Sequence, residues 1–142
     1  MKSLTLEKAN LIIHTAINKA RKLSMEPITV VVLDESGHLK AMQREDGSTM
    51  IRQQIATAKA WGAVSMGISS RSLAAVATER PDFMNALMSM SEGKIMPVPG
   101  GVLIRDTKNN LIGAVGISGD ISDHDERCAI AGIEAVGFIA GV

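Results

Sequence analysis

Aromatic side chains are almost missing from this sequence. Its 142 residues include no tyrosine, one tryptophan (Trp61) and two phenylalanines (Phe83 and Phe138). Proteins that hold single-stranded nucleic acid stack bases on aromatic platforms, so that function lacks its material here. A basic field is missing as well. Fifteen Lys and Arg balance fifteen Asp and Glu, the formal net charge is zero and the pI is near 6.8, which leaves nothing to neutralise a phosphate backbone. Cysteine occurs once, at Cys128. That excludes an intramolecular disulfide framework and a Cys-rich metal site, and it fits a reducing cytosol. No apolar run reaches the roughly 18 residues of a membrane span. Met1-Lys2-Ser3-Leu4-Thr5-Leu6-Glu7 meets charge too soon for a signal peptide. The expectation is a soluble, cytoplasmic protein with no nucleic-acid and no membrane partner.

What the chain has is small apolar residues. Hydrophobics make up 46% of it, mostly Ala, Val, Ile, Met and Leu. Its length suits one domain, taken as residues 1–142. A chain of this size buries roughly 70% of the surface its unfolded form exposes. Zero net charge gives little protection against self-association, so a homo-oligomer is expected.

The apolar spacing Ala9, Ile12, Ile13, Ala16, Ile17, Ala20, Leu23 predicts a helix over residues 5–24, with Thr5 as N-cap. Past Pro27, the β-branched run 28–34 reads as a buried strand, Glu35-Ser36-Gly37 as a turn and 38–43 as its return. A second helix runs from Met50 to about Met66. Ser69 or Ser70 caps a short third helix, and Pro81 opens another with Met84, Met88 and Met90. A loop over 91–100 has room for a short strand at 94–98. A second hairpin covers 101–106 and 111–118, and a last helix starts at Ser122 and keeps its apolar face as far as Ile139. Hairpins without strand–helix–strand crossovers imply an antiparallel sheet with helices packed on it.

Three histidines draw attention first. His14 lies on the polar face of the first helix, His38 follows a turn, and His124 stands in Asp123-His124-Asp125-Glu126 at the start of the last helix. His14 and His124 read more simply as exposed surface residues, and His38 as a structural residue beside its turn. No HExxH spacing or Cys/His pair supports a metal site, so none is expected. Ser118-Gly119 before a helix start, and Gly100-Gly101 at a strand start, free backbone N–H groups for a carboxylate, or simply make tight turns. Lys59, among alanines, either reaches a pocket to bind an anion or snorkels to water. Arg44 and Asp46 read as a salt-bridged turn, and Cys128 as a small core residue.

The segments 32–39, 43–47, 58–60, 100–106, 112–119, 123–126 and 131–133 keep the order of one pattern: VLDESGHL, QREDG, AKA, GGVLIRD, IGAVGISG, DHDE and AGI. The chain resembles the GlcG/HbpS-like family, which includes haem-degrading-type proteins and the C-terminal domain of PduO-type cobalamin adenosyltransferases. The resemblance implies an α/β (α+β) fold, a profilin-like three-layer α/β/α sandwich with a five-stranded antiparallel sheet. Its fifth strand is expected at 94–98. The resemblance also implies a homo-oligomer (dimer, tetramer or octamer) and, in some members, haem as cofactor. Departures from the pattern fall at Asp120, where glycine is usual, and at His124, where glutamine is frequent.

Three functions follow. In the first, the protein binds haem or a related tetrapyrrole, with His14 as iron ligand and Lys59 or Arg44 pairing a propionate. In the second, it is an enzyme or sensor for a small organic acid, a small-molecule ligand held by Lys59, Gly100, Gly101, Ser118 and Gly119. His124 or Asp125 then transfers the proton. In the third, it is a non-catalytic accessory or structural oligomer. The first two require the glycine bends and the start of the last helix to meet around a shared hollow.

Overall fold

The computed structural model describes residues 3–142. Its elements run α1 (Leu6–Lys22), β1 (Thr29–Asp34), β2 (Leu39–Arg44), α2 (Ile51–Met66), α3 (Ser70–Glu79), α4 (Pro81–Met90), β3 (Gly101–Arg105), β4 (Leu111–Ser118), α5 (Ser122–Ala135) and β5 (Ile139–Gly141). The strands form one antiparallel sheet ordered β2-β1-β4-β3-β5. The two hairpins join through β1 and β4, in a register from Thr29 opposite Ser118 to Asp34 opposite Gly113.

Alternation along the strands sorts two unlike faces. Val30, Val32, Val102, Ile104, Val115 and Ile117 turn to one side, where Ala9, Ile12, Ile13 and Ala16 of α1 and Cys128, Ala129 and Ile133 of α5 cover them. Val31, Leu33, Leu103 and Ala114 turn to the other, against Ala56, Ala60 and Ala63 of α2. Beyond α2, Leu73, Met84, Leu87 and Ile95 build a satellite cluster that carries α3 and α4. The result is a three-layer α+β sandwich. Among the described residues no helix is long and apolar enough to cross a membrane.

The α2 face is built for closeness. Gly101 and Gly116 pair across β3 and β4. A Cβ on Gly101 would run into the Lys59 carbonyl, and one on Gly116 into the Ala56 carbonyl. The helix backbone therefore rests on the sheet backbone.

The fifth strand is not at 94–98. Pro97 and Pro99 cannot donate to a ladder, Ile95 is buried in the satellite cluster, and Met96 N donates to the Ala58 carbonyl of α2. The edge of β3 is taken instead by residues 139–141, with Arg105 opposite Ile139 and Leu103 opposite Gly141. The last helix accordingly stops at Ala135. Gly137 takes φ +83°, its N–H and that of Phe138 close onto Glu134 and Ile133, and the chain turns into the sheet.

At the other helix starts, Thr5 accepts from Lys8 N and Ser69 from Ser72 N. Ser122 caps nothing, since Ile121 occupies the N-cap position of α5 without a side-chain cap bond.

Gly116→Ala is expected to lower stability by about 1–3 kcal/mol through overpacking, read as a shift in the urea midpoint at unchanged slope.

Candidate functional site

The glycine bends and the start of α5 do meet, but around a side chain and not around a hollow. Lys59 points from the middle of α2 toward the end of the sheet, past Gly100. Gly100 holds φ +126°, and a Cβ there would lie 2.7 Å from Lys59 Nζ. Nζ donates to the Ile117 carbonyl at 2.8 Å and reaches Asp125 Oδ2 at 3.4 Å. The two side chains are 2% and 1% exposed. Burial pushes the Lys59 ammonium below its usual range and the Asp125 carboxyl above its own, while each partner's charge acts in the opposite sense.

The backbone donors around this pair are consumed by the chain. Gly101 N donates to Ser70 Oγ at 2.7 Å. Ile117 N donates to the Gly100 carbonyl. Asp120 N donates to Asp125 Oδ1 at 3.1 Å. Ser118 is buried and its hydroxyl accepts from Arg52 Nη1 at 3.1 Å. Gly119 is pressed on the Pro27 carbonyl, where a Cβ would not fit. Gly100, Gly101, Ser118, Gly119, Lys59 and Asp125 thus form one assembly, and the close approach the glycines permit is made by the chain itself. No buried side-chain N or O among the described residues lacks a partner.

The positive end of α5 is likewise filled from within. Asp120 accepts from Glu26 N at 2.8 Å and Ile121 N at 2.7 Å, and it meets His124 Nδ1 at 2.9 Å. These bonds hold its carboxyl down at about 2. Arg71 of α3 adds an outer clasp to Glu126, at 3.0 Å, and to Asp123. Asp120, Ser70, Arg52 and Arg71 carry much of this geometry. Composition gives no hint of the last three, whereas the glycine-to-Asp120 departure marks the spot.

The other expected residues lie apart from this assembly. His14 is exposed on α1, and its ring makes no hydrogen bond or ion pair with the described residues. Arg44 does not pair with Asp46. Its Nη1 donates to the Ser48 carbonyl at 2.9 Å, and it lines an open cavity of about 340 Å³ with Ile17, Gln43, Glu45 and Asp46. His38 leans on Asp34 at 4.0 Å. Cys128 donates to Met25 Sδ at 3.4 Å, and burial pushes its thiol up to about 11, out of the range of a nucleophile at neutral pH.

One protein family, described as haem degrading protein HbpS-like, matches residues 4–134. The chain belongs to this family. A crystal structure of a PduOC:haem complex superposes with a TM-score of 0.88 at 25% identity, covering 99% of this chain and 100% of that one. A crystal structure of HbpS gives 0.82 at 26% identity, covering 96% of this chain and 92% of that one. The corrinoid adenosyltransferase PduO of Salmonella typhimurium is 28% identical over 135 residues, which is 94% of this chain and 39% of the relative. The HbpS-like chain therefore spans about two fifths of that relative's length.

Two outcomes test the buried assembly. Asp125→Ala strands a buried ammonium and is expected to cost about 3–5 kcal/mol, whereas combining Lys59→Met with Asp125→Leu restores most of that loss in chemical denaturation. Asp120 is held below its ordinary 3.8. Its contribution, on the order of 2 kcal/mol, is present above that ordinary value and is lost as pH falls through about 2. Asp120→Asn is expected to remove this contribution at neutral pH and to flatten the acid limb of stability followed by urea unfolding across pH.

Proposed function

We propose that this HbpS-like chain binds haem, with His14 as the iron ligand. One observation carries the choice of ligand: His14 makes no hydrogen bond or ion pair with a described residue, whereas His124 Nδ1 is held by Asp120 at 2.9 Å and His38 Nδ1 stands 4.0 Å from Asp34. An axial ligand needs one ring nitrogen open to iron, and either nitrogen of His14 is open. The family description and the PduOC:haem relative support the cofactor.

The surrounding residues fit the group. Leu11 and Ile17 flank His14 at one helical turn on either side. Leu11 is half exposed, and Ile17 lines the cavity that holds Arg44. These two side chains offer apolar contact to a macrocycle, and the Arg44 guanidinium, which shares its cavity with Glu45 and Asp46, offers a partner for a propionate. Bound there, haem supplies a redox-active iron. The chain's own part is to ligate, orient and shield it. Lys59 takes no part in this reading, because its ammonium is spent on Ile117 and Asp125.

The reading includes association of several copies. Leu6, Leu39, Met50 and Ile121 are each more than half exposed, and the balanced charge offers no repulsion to copies that would cover them. A cytoplasmic location accords with one unpaired thiol.

Haemin titration is expected to give a saturable Soret band that His14→Ala abolishes, with the far-UV CD unchanged. Binding retained at full strength in His14→Ala overturns the assignment.

A further inference from the structure

The opposite side of the sandwich carries a second, unrelated feature. Gln53, Gln54, Thr57 and Trp61 share the outer face of α2, and with Lys94 they line a cleft of about 580 Å³. The haem reading uses α1 and β2 and does not touch this cleft.

Its floor is a fixed aromatic plane. Trp61 packs against both the α2 core and the satellite cluster. One edge of its ring lies against the turn at Gly37, where a Cβ would stand 3.3 Å from Cδ1 and Nε1. The ring is the chain's single indole, and it is only partly buried.

Its rim is a placed cation. Gly93 N donates to the Met88 carbonyl, and Met96 N to the Ala58 carbonyl. Ile95, 3% exposed, is sunk against Gly62 and the satellite cluster. Lys94 therefore sits between three anchored neighbours, and its Nζ stands 5.6 Å from the centre of the Trp61 ring. It makes no ion pair with any described residue, and no acid lines the cleft. The Gln53 and Gln54 amides are exposed and make no hydrogen bond with the described residues. Thr57 Oγ1 donates to the Gln53 carbonyl at 2.8 Å, which leaves its lone pairs to accept.

An aromatic floor, a cation over it that has no ion-pair partner and can swing aside, and amide groups along one wall match one kind of ligand. We propose that this cleft binds a small planar heteroaromatic carboxylate. Its ring lies on Trp61, its carboxylate meets Lys94 Nζ, and its ring heteroatom meets the Gln53 or Gln54 amide. One lysine balances one carboxylate. A phosphate would ask for a set of converging backbone donors, and the wall offers side-chain amides instead.

The protein reports on this cleft by itself, because Trp61 is the only tryptophan and tyrosine is absent. Emission excited at the red edge of protein absorption comes from the floor of the cleft. The probe is nicotinate, titrated into the full chain without haem, so the result stands apart from the haem reading. Nicotinamide keeps the ring and removes the charge. Acetate keeps the charge and removes the ring. A saturable change in Trp61 emission with nicotinate is expected, with nicotinamide and acetate each about tenfold weaker or worse. Lys94→Ala, at an exposed position, is expected to raise the nicotinate Kd about tenfold or more with the far-UV CD intact. A linear, non-saturating response to nicotinate overturns the proposal. So does equal binding of nicotinamide or acetate, or an unchanged Kd in Lys94→Ala.

Discussion

A lysine charge sealed inside a small domain constrains everything packed around it. Lys59 is fully sequestered, so its ammonium must find oxygen within the protein. It finds the Ile117 carbonyl at the end of β4 and Asp125 on the first turn of α5. One side chain from α2 thereby fixes the end of the sheet and the start of the last helix together. It can reach them only because α2 lies backbone to backbone on β3 and β4, and that closeness requires Gly101 and Gly116. The ion pair and the glycines are one constraint. With a Cβ at either glycine the helix rises, and the ammonium is drawn away from its oxygens.

This arrangement decides where a ligand can be held. The backbone amides of Gly101, Ile117, Asp120 and Ile121 all have internal acceptors. Asp120 occupies the positive end of α5, where a foreign anion would otherwise bind. Groups without an internal partner lie outward, on the exposed faces of the two helix layers. On the α1 side stand an uncommitted imidazole and a guanidinium beside an open cavity. On the α2 side stand an indole plane and an unpaired ammonium. The sheet separates them, so the two surfaces differ in ligand chemistry and in what would disturb them.

Most of the architecture was legible in the sequence because it follows from period. Val30–Leu33 is an unbroken apolar run, Leu111–Ser118 keeps apolar residues between its glycines, and the first helix shows its buried stripe. The fifth strand was not legible. Its three residues carry little pattern, and they are strand only because Gly137 turns them onto the open edge of β3. The loop at 94–98 has a better strand composition, but Pro97 within it, Pro99 just after it and the pull of α2 on Met96 keep it out of the sheet. The convergence of the glycine bends on the start of α5 was legible, and its sense was not. Gly100, Gly101, Ser118, Gly119, Lys59 and Asp125 do converge. A glycine that permits close approach does not say whether a ligand or the chain's own backbone makes it. A lysine among alanines does not say whether it faces water or a carboxylate 66 positions away.

The same ambiguity explains why His14 and Lys94 matter more than they look in the sequence. A buried polar group is forced to have a partner, and here every buried side-chain N and O among the described residues has one. Groups left uncommitted are therefore those that lie at the surface. There, position distinguishes a solvated residue from a poised one. Lys94 is held between anchored neighbours and over an aromatic ring. His14 sits in line with Leu11 and Ile17, and Ile17 lines the cavity that holds Arg44, Glu45 and Asp46. Lys108, by contrast, lies in the turn between β3 and β4, where its own N–H donates to Asp106. The combination of an unpaired polar head, an anchored backbone and an apolar neighbour separates the first two from the ordinary charged surface.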